Sequence, residues 1–226
     1  MKTQIVSILV FICLLFVATG CEYDNYDEPN AILSGKVVYN GNPVGVRTNG
    51  TQLELWQDGY ALHTKIPVYI AHDGTFSAAV FNGQYKIVRL AGAPWEGAPG
   101  DTIVVDVKGN TTIDIPVKPY FIISNEHFQQ SAGTVIAKFT IEKIVESAQI
   151  QSINLYLGKN ILTDQNQHEK IVSLDLSGYT VGQEATVIAE IPAGLLGDDH
   201  LFARLGVRST LSNEFYYTQV QKINLK

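Results

Sequence analysis

Apolar and polar residues alternate in run after run of this sequence, and that period of two most narrows the folds open to it. Phe76, Ala78 and Val80 share one face of a run; so do Ile103, Val105 and Val107, then Ile113, Ile115 and Val117. The later half repeats the pattern in Val135–Ile141, Ile153–Leu157, Val187–Ile191 and Leu201–Val207. Alternation over four to eight residues marks a half-buried strand. Turn pairs separate the runs: Asn40-Gly41, Asn49-Gly50, Asp73-Gly74, Asn82-Gly83 and Gly109-Asn110. Asn82-Gly83 lies between two apolar runs, where a tight hairpin is expected. The run Glu214–Leu225 changes face near Gln219, which predicts a bulge. No amphipathic helix is expected, and Ala193–Leu196 has room for one short turn.

Many short strands with polar turns predict an all-β protein built as two antiparallel sandwiches in tandem. The first is expected over residues 32–119. The second is expected over 120–226, opening with a polar stretch from Ser124 to Ser131. A single large barrel is the alternative. The chain has only two cysteines, Cys13 and Cys21. If the leader is removed, Cys21 alone remains. Neither an internal disulfide nor a cysteine-based metal site is then open to it.

The N-terminus explains why Cys13 would be lost. Lys2 precedes an apolar run from Ile5 to Ala18, too short to span a bilayer and suited to a secretion signal. Residues 1–20 are read as that signal. Ala18-Thr19-Gly20-Cys21 resembles a lipobox, so Cys21 is expected to carry acyl chains; an ordinary signal ending by chance in Cys is the alternative. Several chains on one cysteine anchor durably, at ~0.8 kcal/mol per buried methylene. Residues 21–31 read as an acidic tether, four of the seven residues Glu22–Glu28 being Asp or Glu. It resembles the export signal of outer-membrane surface lipoproteins, or is a plain solvated linker. The net charge of −6 argues against nucleic acid, which needs clustered Lys and Arg.

Several segments resemble one family of Bacteroides-type surface lipoproteins of unknown function. They are Cys21 with Asp24–Asp27 and Pro29, then Ser34-Gly35-Lys36-Val37, Gly50–Leu55, Asp101–Val105, Asp114–Val117 and Pro119-Tyr120. The resemblance implies gene neighbours for glycan uptake: a TonB-dependent porin and its glycan-binding lipoprotein partner. It implies a location on the outer membrane, exposed at the cell surface. It also implies a non-catalytic N-terminal domain of the transthyretin or carboxypeptidase-regulatory type, followed by a fibronectin type III or immunoglobulin-like domain. Leu201–Val207 is similar to the sixth strand of the latter. Leu201 stands where that fold carries a tyrosine.

Residue by residue, the sequence offers little chemistry. His63, His72, His127, His168 and His200 are scattered and form no adjacent zinc pair. No nucleophile elbow or phosphate loop occurs. Asp198-Asp199 lacks the spaced ligands of a calcium loop. Asp101, Asp106 and Asp114 are acids without a visible pairing. No catalytic residue, metal or cofactor is expected. Aromatic residues are the better signal, because Trp and Tyr faces stack on sugars while their polar tips stay wet. Trp95, in a loop stiffened by Pro94 and Pro99, and Trp56 with Tyr60 are the candidate ligand contacts. Each has the alternative of a core or inter-domain role, and Tyr120 is expected to pack between the domains. Tyr216 and Tyr217 are adjacent, so one should point outward. Asp101-Thr102-Ile103 resembles a short O-glycosylation motif, with Thr102 the acceptor.

Three functions follow. The first is an accessory lipoprotein binding polysaccharide or an uptake complex. The second is a structural or adhesive spacer, and the third a glycoside hydrolase.

Overall fold

The structure is a computed structural model, and it describes residues 27–59, 63–97 and 100–226. The leader, Cys21 and Tyr60 lie outside the described residues. Among the described residues there is no helix, and every regular element is a strand.

Nine strands build the first domain: β1 (Ala31–Tyr39), β2 (Asn42–Pro43), β3 (Gln52–Trp56), β4 (Ile66–Tyr69), β5 (Thr75–Val80), β6 (Gly83–Arg89), β7 (Ile103–Val107), β8 (Thr111–Thr112) and β9 (Ile115–Pro116). One sheet has β1 at its centre, flanked by β5 and by β2, β8 and β9; the other runs β4-β3-β6-β7. The two sheets face each other through Leu33, Val37, Leu53, Leu55, Phe76, Ile87 and Val107, as the alternation requires. Asn40 and Gly41 both have positive φ (50° and 80°), the backbone of a two-residue hairpin between β1 and β2. Two short ladders are parallel: after β7 the chain crosses to the other sheet and lies along β1 as β8 and then β9. A parallel neighbour needs a long connection, which β2 to β7 supply.

The second domain contains β10 (Phe121–Ser131), β11 (Thr134–Lys143), β12 (Ile150–Gly158), β13 (Lys170–Ser173), β14 (Glu184–Glu190), β15 (His200–Ser209), β16 (Tyr216–Tyr217) and β17 (Gln221–Asn224). The sheet β10-β11-β14 packs on β13-β12-β15, with β16 and β17 both on the free edge of β15. Phe121, Phe139, Ile153, Leu155, Val187, Leu201 and Leu205 fill the space between.

Two local expectations need correction. Asn82-Gly83 closes no hairpin, because β5 pairs with β1 while β6 pairs with β3 and β7. It is a crossing between sheets, with the Asn82 side chain accepting a hydrogen bond from Gly109 N–H at 2.6 Å. The polar stretch Ser124–Ser131 that opens the second domain is part of β10. It is interrupted by a register shift between Ser124 and His127, where Asn125 has φ 54°. Near Gln219 the strand does not merely bulge. It stops after Tyr217 and resumes at Gln221.

The two domains meet along a polar seam. β12 and β15 are buried on both faces. Asn154, Tyr156 and Arg204 are covered although they point away from the sandwich core. Tyr156, Phe215 and Tyr217 form their own small cluster there. Arg204 is fully buried. Its Nη2 donates to the carbonyl of His72 at 2.6 Å and its Nε to that of Thr218 at 2.8 Å. Its guanidinium lies 4.4 Å from the centre of the Tyr217 ring, a cation–π geometry. Burial pulls its pKa down to about 10, so it stays charged at neutral pH. Tyr217 N–H donates to Gly45 O at 3.0 Å. A Cβ on Gly45 would sit 2.4 Å from the Tyr217 carbonyl oxygen, so only glycine allows this approach. Arg47 clasps Glu214 with two nitrogens, at 2.5 and 3.2 Å. Asn213 N–H donates to Gly92 O at 3.0 Å.

Candidate functional site

Trp95 is 0% exposed and belongs to the first domain's core. The loop around it pairs with the inter-domain connection: Glu96 N–H donates to Lys118 O, and Tyr120 N–H to Pro94 O. This pairing sets Trp95 inward as a plug, and its ring has no face open to a sugar. This corrects the expected ligand contact in favour of its alternative. Tyr120 is half-buried against the second core. Trp56 is half-buried at the end of β3. Its Nε1 donates to Glu54 at 3.2 Å, and His63 covers it with ring centres 5.0 Å apart. Lys65 also holds Glu54, at 2.5 Å. Trp56 is therefore a partner in a cross-strand cluster rather than an open platform. Thr102 is exposed just before β7. Of the adjacent tyrosines, Tyr217 is buried and Tyr216 half-buried.

The acids occupy separate places. Asp101 pairs with Arg89, Asp106 with Lys108, and Asp114 accepts the N–H of Lys36 at 3.1 Å. Asp199 pairs with Lys226 at 3.0 Å, and that hydrogen bond and charge hold its carboxyl below the usual range. Among the described residues, no three His, Cys, Asp or Glu converge to hold a metal ion.

Sequence reasoning missed one concave surface of the first domain. A groove of about 480 Å³ runs over the outward side of β1 and β5. Its floor carries Ser34, Lys36, Thr75 and Ser77, with Thr112 and Asp114 along one side. Tyr69 stands on the other side, 49% exposed. Tyr69 projects because Val68 faces the core, and alternation turns the next residue outward. β4 is an edge strand containing Pro67, which costs nothing where no further strand pairs. The signal was present in Ile66-Pro67-Val68-Tyr69, but a four-residue strand is too short for periodicity to declare itself. The groove combines an exposed phenol ring, hydroxyls, one lysine and one aspartate, a surface suited to binding polar, ring-shaped ligands.

These features define a two-domain, all-β protein with an open groove on its first domain. The matches to known families give the next step. The chain matches the N-terminal domain of a protein of unknown function, DUF3823, over residues 31–118, and the domain of unknown function DUF3823_C over residues 121–222. It belongs to the DUF3823 family. No curated protein matches it. A DUF3823 family protein from Bacteroides ovatus is 45% identical, with a TM-score of 0.82 over 88% of this chain and 100% of that one. A second, from Parabacteroides merdae, is 31% identical, with a TM-score of 0.80 over 88% and 100%. A Bacteroides uniformis protein provisionally named as carbohydrate binding is 18% identical; it covers 87% of this chain and 100% of its own at a TM-score of 0.73. At that identity it speaks for the fold alone.

Proposed function

We propose that this protein is a non-catalytic surface lipoprotein that binds polysaccharide as an accessory of a glycan-capture and uptake system. The observation that carries the reading is the Tyr69 groove. An exposed aromatic ring beside a hydroxyl-lined sheet face offers a sugar both stacking area and hydrogen bonds. In this reading the leader directs export, acyl chains on Cys21 anchor the chain in the outer membrane, and the acidic tether lets the domains face outward. A TonB-dependent porin and its lipoprotein partner are the proposed assembly. The first domain is read as transthyretin-like and the second as fibronectin III-like, on the segments Ser34–Val37 and Leu201–Val207. Thr102, exposed beside Asp101, is the proposed sugar acceptor.

Calorimetric titration of the protein against a polysaccharide panel tests the binding claim. Tyr69→Ala is expected to weaken any binding about tenfold or more, in line with the ~1.4 kcal/mol that a tenfold change represents. Absence of heat across the panel would count against polysaccharide binding. Metabolic labelling with a radioactive fatty acid tests the anchor: label should enter the native chain and not Cys21→Ser.

A further inference from the structure

A second concave surface lies between the domains. It is a groove of about 350 Å³, within the ~300–1,000 Å³ range of small-ligand sites. One bank is the β1–β2 hairpin, contributing Tyr39 and Asn42. The other comes from β10 and the β16–β17 break, contributing Ser124, Glu126, Tyr216 and Gln219. The break that keeps β16 and β17 from forming one strand is thus what turns Gln219 into this space. Both banks are held firmly. The hairpin is a tight two-residue turn, and Tyr217 is tied to Gly45 in the seam directly beneath.

The chemistry of the lining is selective. Tyr39 and Tyr216 are half-buried rings, and Tyr216 packs against both cores. The Tyr216 hydroxyl has no hydrogen-bond partner among the described residues. Burial, with the charges of Glu126 and Glu142 nearby, raises its pKa to about 12, so it remains a neutral phenol able to donate and accept. Asn42 presents an amide with both a donor and an acceptor, while Gln219, whose Nε2 donates to Asp73 O at 3.4 Å, offers its carbonyl oxygen as an acceptor. Glu126 is the sole charged residue among those lining the groove, and no Lys or Arg faces it. Phosphates, sulfates and uronic acids would meet a carboxylate there with nothing to neutralise them.

We propose that this inter-domain groove binds a short neutral saccharide of one or two residues, as a second site separate from the Tyr69 groove. The saccharide lies between the Tyr39 and Tyr216 rings. Its hydroxyls bond to Asn42, Gln219 and the Tyr216 hydroxyl. Because the two banks belong to different domains, the ligand also ties them together. The inference does not rest on the Tyr69 reading, since the two grooves share no residue.

Saturation-transfer NMR and calorimetry on the full chain test it. The probes are neutral mono- and disaccharides of glucose, galactose, mannose and xylose, with a uronic-acid disaccharide and spermidine as charged controls. Tyr216→Phe keeps the ring and its packing while removing the hydroxyl. Asn42→Ala alters an exposed hairpin residue. Thermal melts matching the parent establish that both variants are folded. At least one neutral sugar is expected to bind, with affinity reduced fivefold or more in each variant and unchanged in Tyr69→Ala. The acidic disaccharide should bind at least tenfold more weakly, and Glu126→Gln should narrow that gap. Silence from every neutral sugar would overturn the site. So would spermidine binding alone, or saccharide binding lost in Tyr69→Ala and indifferent to Tyr216→Phe and Asn42→Ala. Failure of the Tyr69→Ala prediction with a Tyr216→Phe effect intact would instead leave this site standing and remove the other.

Discussion

The seam between the domains and the Tyr69 groove are both polar, yet they are built to opposite ends. In the seam most strong groups are taken up by the protein itself: Arg204 by two carbonyls and a ring, although its Nη1 has no partner among the described residues, Arg47 by Glu214, and Tyr217 N–H by Gly45. In the groove Thr75 donates to Asp73 and Ser34 meets Thr112, but the Ser77 hydroxyl and the Tyr69 ring face solvent. The comparison teaches that polarity at a surface does not by itself mark a site. What matters is whether the polar groups are already partnered.

Substitutions should separate the two regions by their cost. Trp95 plugs the base of the first domain where it meets the connection. Trp95→Ala is therefore expected to cost about 3–5 kcal/mol of stability, read as a lower urea midpoint. Arg204→Ala leaves two buried carbonyls without a donor and should cost about 3 kcal/mol. It should also make the two domains unfold at different denaturant concentrations, whereas a single coincident transition would show that the seam does not couple them.

A milder effect is expected from acid. Burial holds the His72 imidazole below its usual pKa, with Arg204 acting in the same direction and Asp73 against it. The folded state thus prefers neutral His72. Its contribution is complete above the unfolded value of ~6.5 and declines as pH falls from there towards the folded value. Melting temperatures should drop over that window and drop less in His72→Gln. The smallest effect belongs to the groove: Tyr69→Ala should change stability by less than ~0.5 kcal/mol, because the ring is half exposed on an edge strand. A large loss would mean that Tyr69 supports the fold instead of serving a ligand.

Much of the architecture was legible. The strand β14 buries Ala185, Val187 and Ala189 and exposes every residue between, as its alternation predicts. Asn40-Gly41 makes the turn its chemistry favours. The failures share one physical cause: local patterns say which way a residue points but not what stands opposite. Asn82-Gly83 has hairpin chemistry, but its strands belong to different sheets. Tyr156 and Arg204 occupy outward positions that alternation assigns to water, and another part of the molecule covers them. Trp95 sits in a proline-stiffened loop, and only the pairing of that loop with Lys118 and Tyr120 shows that it turns inward. The grooves were invisible for the same reason, since each is assembled from segments distant in sequence.

The placement of β1 has a mechanical consequence. If the chain is held at its N-terminus, any pull enters the folded part at Ala31, the first residue of this strand. β1 is laced to β5 on one flank and to β8 and β9 on the other. A tug along its length must shear those rows of hydrogen bonds together and cannot unzip them one by one. Strand placement at the point of loading would let the protein resist drag from a long polymer while it remains moored.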